Sequence, residues 1–244
     1  MIITGLEKKL GVFSLSVERF VVSSPGIYGL IGPNGSGKST LAKLMAGLLE
    51  KDGGVIDTEG LGPRDITFLS RKPYMMDDTV YNNLVYPLRL RKIKPDLRLI
   101  ALSLDKMGFT GRDKQKARSL SGGEQQKVAL LRAFLFKPRF IIADEAMTAL
   151  DIDSLDIFES MILEEQKKDP IIWIIISHQM PHIRRLTDRL FFMDQGRIET
   201  EGPTEELLSR PSNKRLRQYL RVYGAGISSD QLIPMLDGGT GEGE

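Results

Sequence analysis

Gly32-Pro33-Asn34-Gly35-Ser36-Gly37-Lys38-Ser39-Thr40 decides how this chain is read. It fits the G-x-x-x-x-G-K-[ST] phosphate loop and sits in the setting such a loop needs. The apolar run Ile27-Tyr28-Gly29-Leu30-Ile31 precedes it and reads as a buried strand. Leu41-Ala42-Lys43-Leu44-Met45-Ala46-Gly47-Leu48-Leu49 follows it and reads as a helix. Glycines at 32, 35 and 37 let backbone N–H groups close around phosphate oxygens, and the helix N-terminus brings its positive end to the same place. Lys38 is placed to reach the outer phosphates, and the Ser39 hydroxyl to bind Mg²⁺. A glycine-rich turn that merely joined strand to helix would not be expected to match every position. The stretch implies a bound nucleoside triphosphate.

Leu120-Ser121-Gly122-Gly123-Glu124-Gln125 narrows the field. Ser121 is an N-cap candidate, with Glu124 three residues on as its capping-box partner. Two adjacent glycines weaken a helix start but make sense where backbone must approach a phosphate closely. This hexapeptide, continued in Gln126-Lys127-Val128-Ala129-Leu130-Leu131-Arg132-Ala133, resembles the signature motif of ATP-binding-cassette (ABC) ATPases. Further motifs keep that family's order. Phe140-Ile141-Ile142-Ala143 reads as a buried strand ending at Asp144-Glu145, similar to the Walker B carboxylate and the catalytic glutamate after it. Thr148-Ala149-Leu150-Asp151 resembles the loop that crosses to a partner subunit. Ile171-Ile172-Trp173-Ile174-Ile175-Ile176 reads as another central strand, ending at Ser177-His178, where the family has its switch histidine. The stretch from Asp188 to Arg197 resembles the closing strand pair. The resemblance covers roughly residues 1–205.

The resemblance implies an α/β fold: a P-loop NTPase core with a mainly parallel sheet, a small antiparallel β subdomain, and an inserted helical subdomain carrying the signature. The ATPase domain is expected over 1–222, with the helical subdomain at about 87–133. It implies ATP and Mg²⁺ as ligands. Asp144, with Ser39, would hold the ion, Glu145 would orient or deprotonate the attacking water, and Lys38 and His178 would face the γ-phosphate. Ser121, Gly122 and Gly123 would meet the nucleotide of a second subunit, head to tail, in a homodimer or paired with another ABC subunit. Polytopic permease subunits would dock on about residues 72–112, with a solute-binding protein engaged indirectly. The segment from Thr79 to Arg91 resembles the coupling segment of importer ATPases, loosely those for oxyanions such as tungstate, molybdate or phosphate. Gly202-Pro203-Thr204-Glu205-Glu206-Leu207 with Arg210-Pro211-Ser212-Asn213 resembles the end of importer cores. The alternative class is an ABC ATPase without a pore, serving cofactor assembly or a mechanical or regulatory task.

Composition bounds these readings. A chain of 244 residues with 41% hydrophobic content can bury one sizeable core. A net charge of +2 argues for neither nucleic acid nor an acidic membrane surface. No apolar run approaches the roughly 18 residues of a membrane-spanning helix, and the N-terminus lacks the features of a signal peptide. Zero cysteines exclude disulfides, zinc thiolate sites and iron–sulfur ligation by this chain. The expectation is a cytoplasmic protein, peripheral on the inner face of the membrane. Residues 203–221 read as a basic amphipathic surface helix, and 223–244, rich in glycine and acidic residues, as a disordered tail.

Some positions depart from the family pattern. Arg71 falls where the family has a glutamine that contacts Mg²⁺ and the attacking water. Arginine has five donors and no acceptor, so it cannot coordinate a cation. It is expected to sit on a phosphate or to pair with Glu145 or Asp144, giving slower hydrolysis or another coupling route. Leu10 occupies the approximate place of the aromatic that stacks on adenine, with Phe13 nearby. Tyr74, Met75 and Met76 read either as a socket for a membrane subunit or as core, and His182 as an ordinary surface residue.

Overall fold

The computed structural model describes residues 1–224. Alternating apolar residues open the chain as two strands, β1 (Ile2–Leu10) and β2 (Phe13–Val21), paired antiparallel from Ile2 opposite Val21 to Leu10 opposite Phe13. β3 (Gly26–Ile31) is buried along almost its whole length. A continuous apolar run rather than an alternation is what a parallel strand covered on both faces requires. The chain leaves it through the glycine-rich loop into α1 (Lys38–Met45). β4 (Gly53–Asp57) returns to β1 and completes a three-stranded antiparallel sheet in the order β2-β1-β4.

After β5 (Ile66–Ser70) come α2 (Val80–Leu90), α3 (Leu97–Lys106) and α4 (Gly122–Phe136). The helical run thus starts at Val80, ahead of the stretch from 87 that the sequence marks, and Pro87 lies inside α2. Thr79 caps that helix by accepting from the Asn82 N–H at 3.1 Å. Asn83 is wholly buried beneath it. Its side chain accepts from Met76 N at 2.9 Å and donates to Thr79 O at 2.9 Å, tying the helix to the segment that follows β5.

The remainder alternates: β6 (Phe140–Asp144), α5 (Ile152–Lys168), β7 (Ile172–Ile176), α6 (Met180–Leu186), β8 (Arg189–Asp194) and β9 (Arg197–Pro203). The second sheet has the order β5-β6-β7-β3-β8-β9, parallel throughout except for β9. Successive residues of its strands enter two different cores. Ile27, Ile31, Ile141, Ile175 and Phe192 pack with Leu84, Leu130 and Phe158 on the helical side. Leu30, Ile142, Ile174 and Phe191 pack with Leu41 of α1 and with Leu15 and Phe20 of the antiparallel sheet. This is the two-faced burial of an α/β sheet, and it fixes the strand ends on which the site is built.

The single basic helix expected over 203–221 is two, α7 (Thr204–Ser209) and α8 (Lys214–Tyr223). Pro211 has no N–H to continue a helix, and Asn213 restarts it by accepting from the N–H groups of Arg215 at 2.8 Å and Leu216 at 3.0 Å. α8 is amphipathic as expected, but its apolar face is covered: Leu216, Tyr219 and Leu220 are buried. The tail expected to be disordered lies, from residue 225 onward, outside the described residues. Among the described residues no helix is long and apolar enough to cross a membrane.

Candidate functional site

Strand order brings the site together. The carboxyl ends of β5, β6, β7 and β3 are neighbours, with Ser70 opposite Asp144, Asp144 opposite Ile176, and Ile176 opposite Leu30. Arg71, Asp144-Glu145, His178 and the loop from Gly32 therefore meet along one edge of the sheet, where open α/β sheets hold their ligands.

The loop is shaped by its glycines. Gly32, Gly35 and Gly37 have φ of 151°, 78° and 107°. A Cβ on Gly32 would fall 1.9 Å from the Met193 carbonyl oxygen, and one on Gly37 would fall 2.9 Å from the Phe13 ring. Pro33 O accepts from Ser36 N at 3.2 Å to close the turn. Ser36 is buried, while Asn34, Gly35 and Ser39 are exposed at the mouth. The N-cap of α1 is Gly37, which has no side chain to satisfy the first helical N–H groups, so these donors are free for an anion. Lys38 folds back over the loop, its Nζ donating to Gly32 O at 2.7 Å and Pro33 O at 2.8 Å. Burial pulls its ammonium down to about 8, against the opposing pull of Glu145 and Asp144, so it is still charged at neutral pH. A ring of free donors around a buried ammonium fits the polyphosphate of a nucleotide.

The carboxylates flank that loop. Asp144 ends β6 partly buried, and burial pushes its carboxyl above the usual range while a hydrogen bond from Ser39 pulls it back. Two oxygen donors side by side suit Mg²⁺, which takes one or two protein ligands and keeps water or phosphate for the rest. Among the described residues no group of three or more His, Cys, Asp or Glu side chains gathers to cage a metal.

Glu145 has a φ of 51°, left-handed for a residue with a side chain, and is held there by its N–H bond to Ile176 O at 3.0 Å. Such a conformation costs on the order of 1–3 kcal/mol and concentrates at functional sites. Its Oε1 lies 2.8 Å from His178 Nε2, and its Oε2 lies 4.0 Å from Arg71 Nη1. Of the partners open to Arg71, the structure gives it Glu145, with the guanidinium side chain 72% exposed. The His178 imidazole is pushed below its ordinary value by burial and by Lys38, with Glu145 and Asp144 opposing. Its Nδ1 lies 3.2 Å from the Tyr219 hydroxyl on α8, a neighbour nothing in the local sequence announces.

The signature turn forms a complete capping box: Ser121 N donates to Glu124 Oε2 at 2.8 Å, and Glu124 N to Ser121 Oγ at 3.3 Å. The two glycines differ. A Cβ on Gly123 would meet the Ala149 carbonyl oxygen at 2.9 Å, whereas one on Gly122 would meet nothing within 4 Å. The crossing loop explains Gly123; packing within this chain leaves Gly122 unexplained. α4 is tied to both neighbours, by Gln126 Nε2 donating to Ser70 O at 3.4 Å and by Lys127 paired with Asp151 at 3.0 Å.

The open alternatives divide as follows. The Phe13 ring lies against the glycine-rich loop, whereas Leu10 is 43% exposed. Met75 is core and Tyr74 is 70% exposed, and Tyr86, Leu90, Leu97 and Leu102 are exposed as well. His182, expected as an ordinary surface residue, is half-buried, with Nδ1 at 2.6 Å from Oε1 of the buried Glu159, which also pairs with Arg185. That cluster fastens α6, which follows His178, to α5, which follows the crossing loop.

Known proteins resemble this chain in sequence and in fold. The family model described as ABC transporter matches residues 17–148. The chain is 34% identical over 208 residues to the tungstate uptake system ATP-binding protein TupC of Peptoclostridium acidaminophilum, covering 82% of this chain and 97% of that protein. It is 29% identical over 232 residues to the methionine import ATP-binding protein MetN of Caulobacter vibrioides, covering 88% and 70%. A solved structure described as the ATP binding subunit of an ABC transporter superposes with a TM-score of 0.78 at 23% identity, over 95% of this chain and 96% of that one.

Proposed function

The chain belongs to the ABC transporter family, as an ATP-binding subunit with ATPase activity, and from that premise we propose that it drives an importer as one half of a head-to-tail dimer beneath polytopic permease subunits. The observation that carries the dimer is the signature turn. Its Gly122 faces open space at a helix start, where a side chain would cost nothing sterically and would favour the helix. Glycine there is explained by a ligand that approaches the bare backbone from another subunit. The import reading is supported by the tungstate and methionine relatives, which also favour it over the class without a pore.

In this mechanism the loop from Gly32 to Thr40 holds the polyphosphate on backbone donors and on Lys38. Ser39 and Asp144 would hold Mg²⁺, which when bound would offset the charge of the phosphates. Glu145 takes a proton from the attacking water as the γ-phosphorus–bridging-oxygen bond breaks. His178 offers a donor to the γ-phosphate, and Ser121, Gly122 and Gly123 close over the nucleotide of the partner subunit. Closing and opening of that dimer shifts attached membrane subunits between states that differ in their affinity for the closed form. The exposed apolar side chains of residues 72–112, Tyr74, Tyr86 and Leu90 among them, are the docking surface, which puts the subunit peripherally on the inner membrane face and the solute-binding protein across the membrane from it. Phe13 is the residue for adenine.

Affinity purification of the tagged chain from crosslinked membranes of its native cells tests this reading. A stoichiometric polytopic membrane protein is expected; recovery only with a soluble partner would overturn the transport role while leaving the ATP site intact. Arg71→Gln tests the local chemistry. An exposed pair at 4.0 Å is worth about 1 kcal/mol at most, so freeing Glu145 is expected to raise basal turnover by up to about fivefold. Unchanged turnover would place Arg71 outside the reaction.

A further inference from the structure

We propose that Tyr219 is a positioning residue for His178: its hydroxyl donates to Nδ1 and so holds the imidazole as the Nε2–H tautomer, with that N–H directed to the catalytic edge. The inference rests on reading His178 as the group that faces the γ-phosphate.

The assignment follows from the two partners of the ring. A neutral imidazole has one donor and one acceptor nitrogen, and an ionised carboxylate only accepts. Nε2 stands 2.8 Å from Glu145 Oε1, so the proton is on Nε2. The opposite tautomer would set a bare nitrogen against a carboxylate oxygen at that distance. Nδ1 is then the acceptor, and the hydroxyl beside it at 3.2 Å must donate. Burial raises the Tyr219 phenol well above its ordinary value, so the hydroxyl keeps the hydrogen that it offers to the histidine.

The hydroxyl is held by a fixed element rather than a loop. The Tyr219 ring packs on Phe192 of β8 at 5.6 Å between centroids and on Tyr223 at 4.8 Å, and the Tyr223 ring lies 5.6 Å from the imidazole. Leu216 and Leu220 bury the same face of α8. Arg215 clamps the helix to Asp194, at the end of β8, with Nε and Nη2 both at 2.7 Å. The partner on the other nitrogen is not constant, because Glu145 must turn from the imidazole to the water when it acts as base. From that point Tyr219 alone keeps the proton on Nε2, where the phosphate needs a donor.

The chain has only two histidines, so ¹⁵N-histidine NMR of the full-length protein reads the tautomer directly, with His182→Gln assigning the signals. The expected result is a neutral His178 with Nε2 protonated and Nδ1 bare. In Tyr219→Phe, which keeps the ring and its packing, the Nδ1 signal should move to that of an unbonded nitrogen. Its kcat should fall about tenfold, the worth of one neutral hydrogen bond, with KM for ATP within about twofold. An Nδ1–H tautomer in the unmodified protein, or a Tyr219→Phe protein with an unmoved Nδ1 signal, overturns the proposal. The first of these needs no variant and so stands even if Tyr219→Phe does not fold. His178→Ala separates the two levels: undiminished turnover there sinks the phosphate-facing role of His178, whereas the NMR result bears on Tyr219 alone.

Discussion

Lys38→Ala removes turnover by about 10²–10³-fold, the loss typical when one preorganised donor to a developing oxyanion is deleted, and weakens ATP binding with it. The reason is local. The ammonium is buried and held at 2.7 and 2.8 Å from two carbonyls of the loop it must serve, so it sits in place before any phosphate arrives. Alanine leaves a helix start with free N–H groups but no full charge at its centre. Binding of a fluorescent ATP analogue and steady-state phosphate release measure the two losses separately. Retained turnover would mean that the nucleotide sits elsewhere.

Glu145→Gln separates binding from chemistry. The amide keeps the size of the carboxylate and can still accept from His178 Nε2, at 2.8 Å from Oε1 in the present structure, but it cannot take a proton from water. Turnover should fall by about 10²–10⁴-fold, the contribution of a positioned general base, while ATP binding persists. A dimer held closed by unhydrolysed nucleotide should then appear by analytical ultracentrifugation with ATP and Mg²⁺ and disappear without them. Unchanged turnover would remove Glu145 from the role of base.

Much of this arrangement is legible in residue order because the pieces are local. A strand that is apolar throughout, then Gly-rich backbone, then a helix start reads directly as a loop at a strand end. Asp144-Glu145 and His178 likewise follow buried runs, so they come to one edge once the sheet is parallel. Arg71 follows the end of β5, and of the partners expected for it (a phosphate, Glu145 or Asp144) the structure gives Glu145. What was not legible depends on packing between distant segments. Tyr219 has no motif, and only the burial of α8 against β8 carries its hydroxyl to His178. His182 reads as surface until α5 supplies the buried Glu159. The helical subdomain is expected from about residue 87, whereas α2 itself starts at Val80, where Thr79 caps it and the buried Asn83 side chain anchors it.

The strand that carries the phosphate loop has its neighbours late in the chain. Among the described residues β3 pairs only with β7 and β8, Ile27 against Trp173 and Tyr28 against both Ile174 and Arg189. On the ribosome the loop is therefore written early and assembled late, since pairing across so long a stretch waits until β8 has emerged. A chain interrupted before residue 189 carries every letter of the phosphate motif yet lacks the strand that pairs with one side of β3. A ligand stabilises the state that binds it, so ATP is expected to favour the chain in which β3 has both of its neighbours.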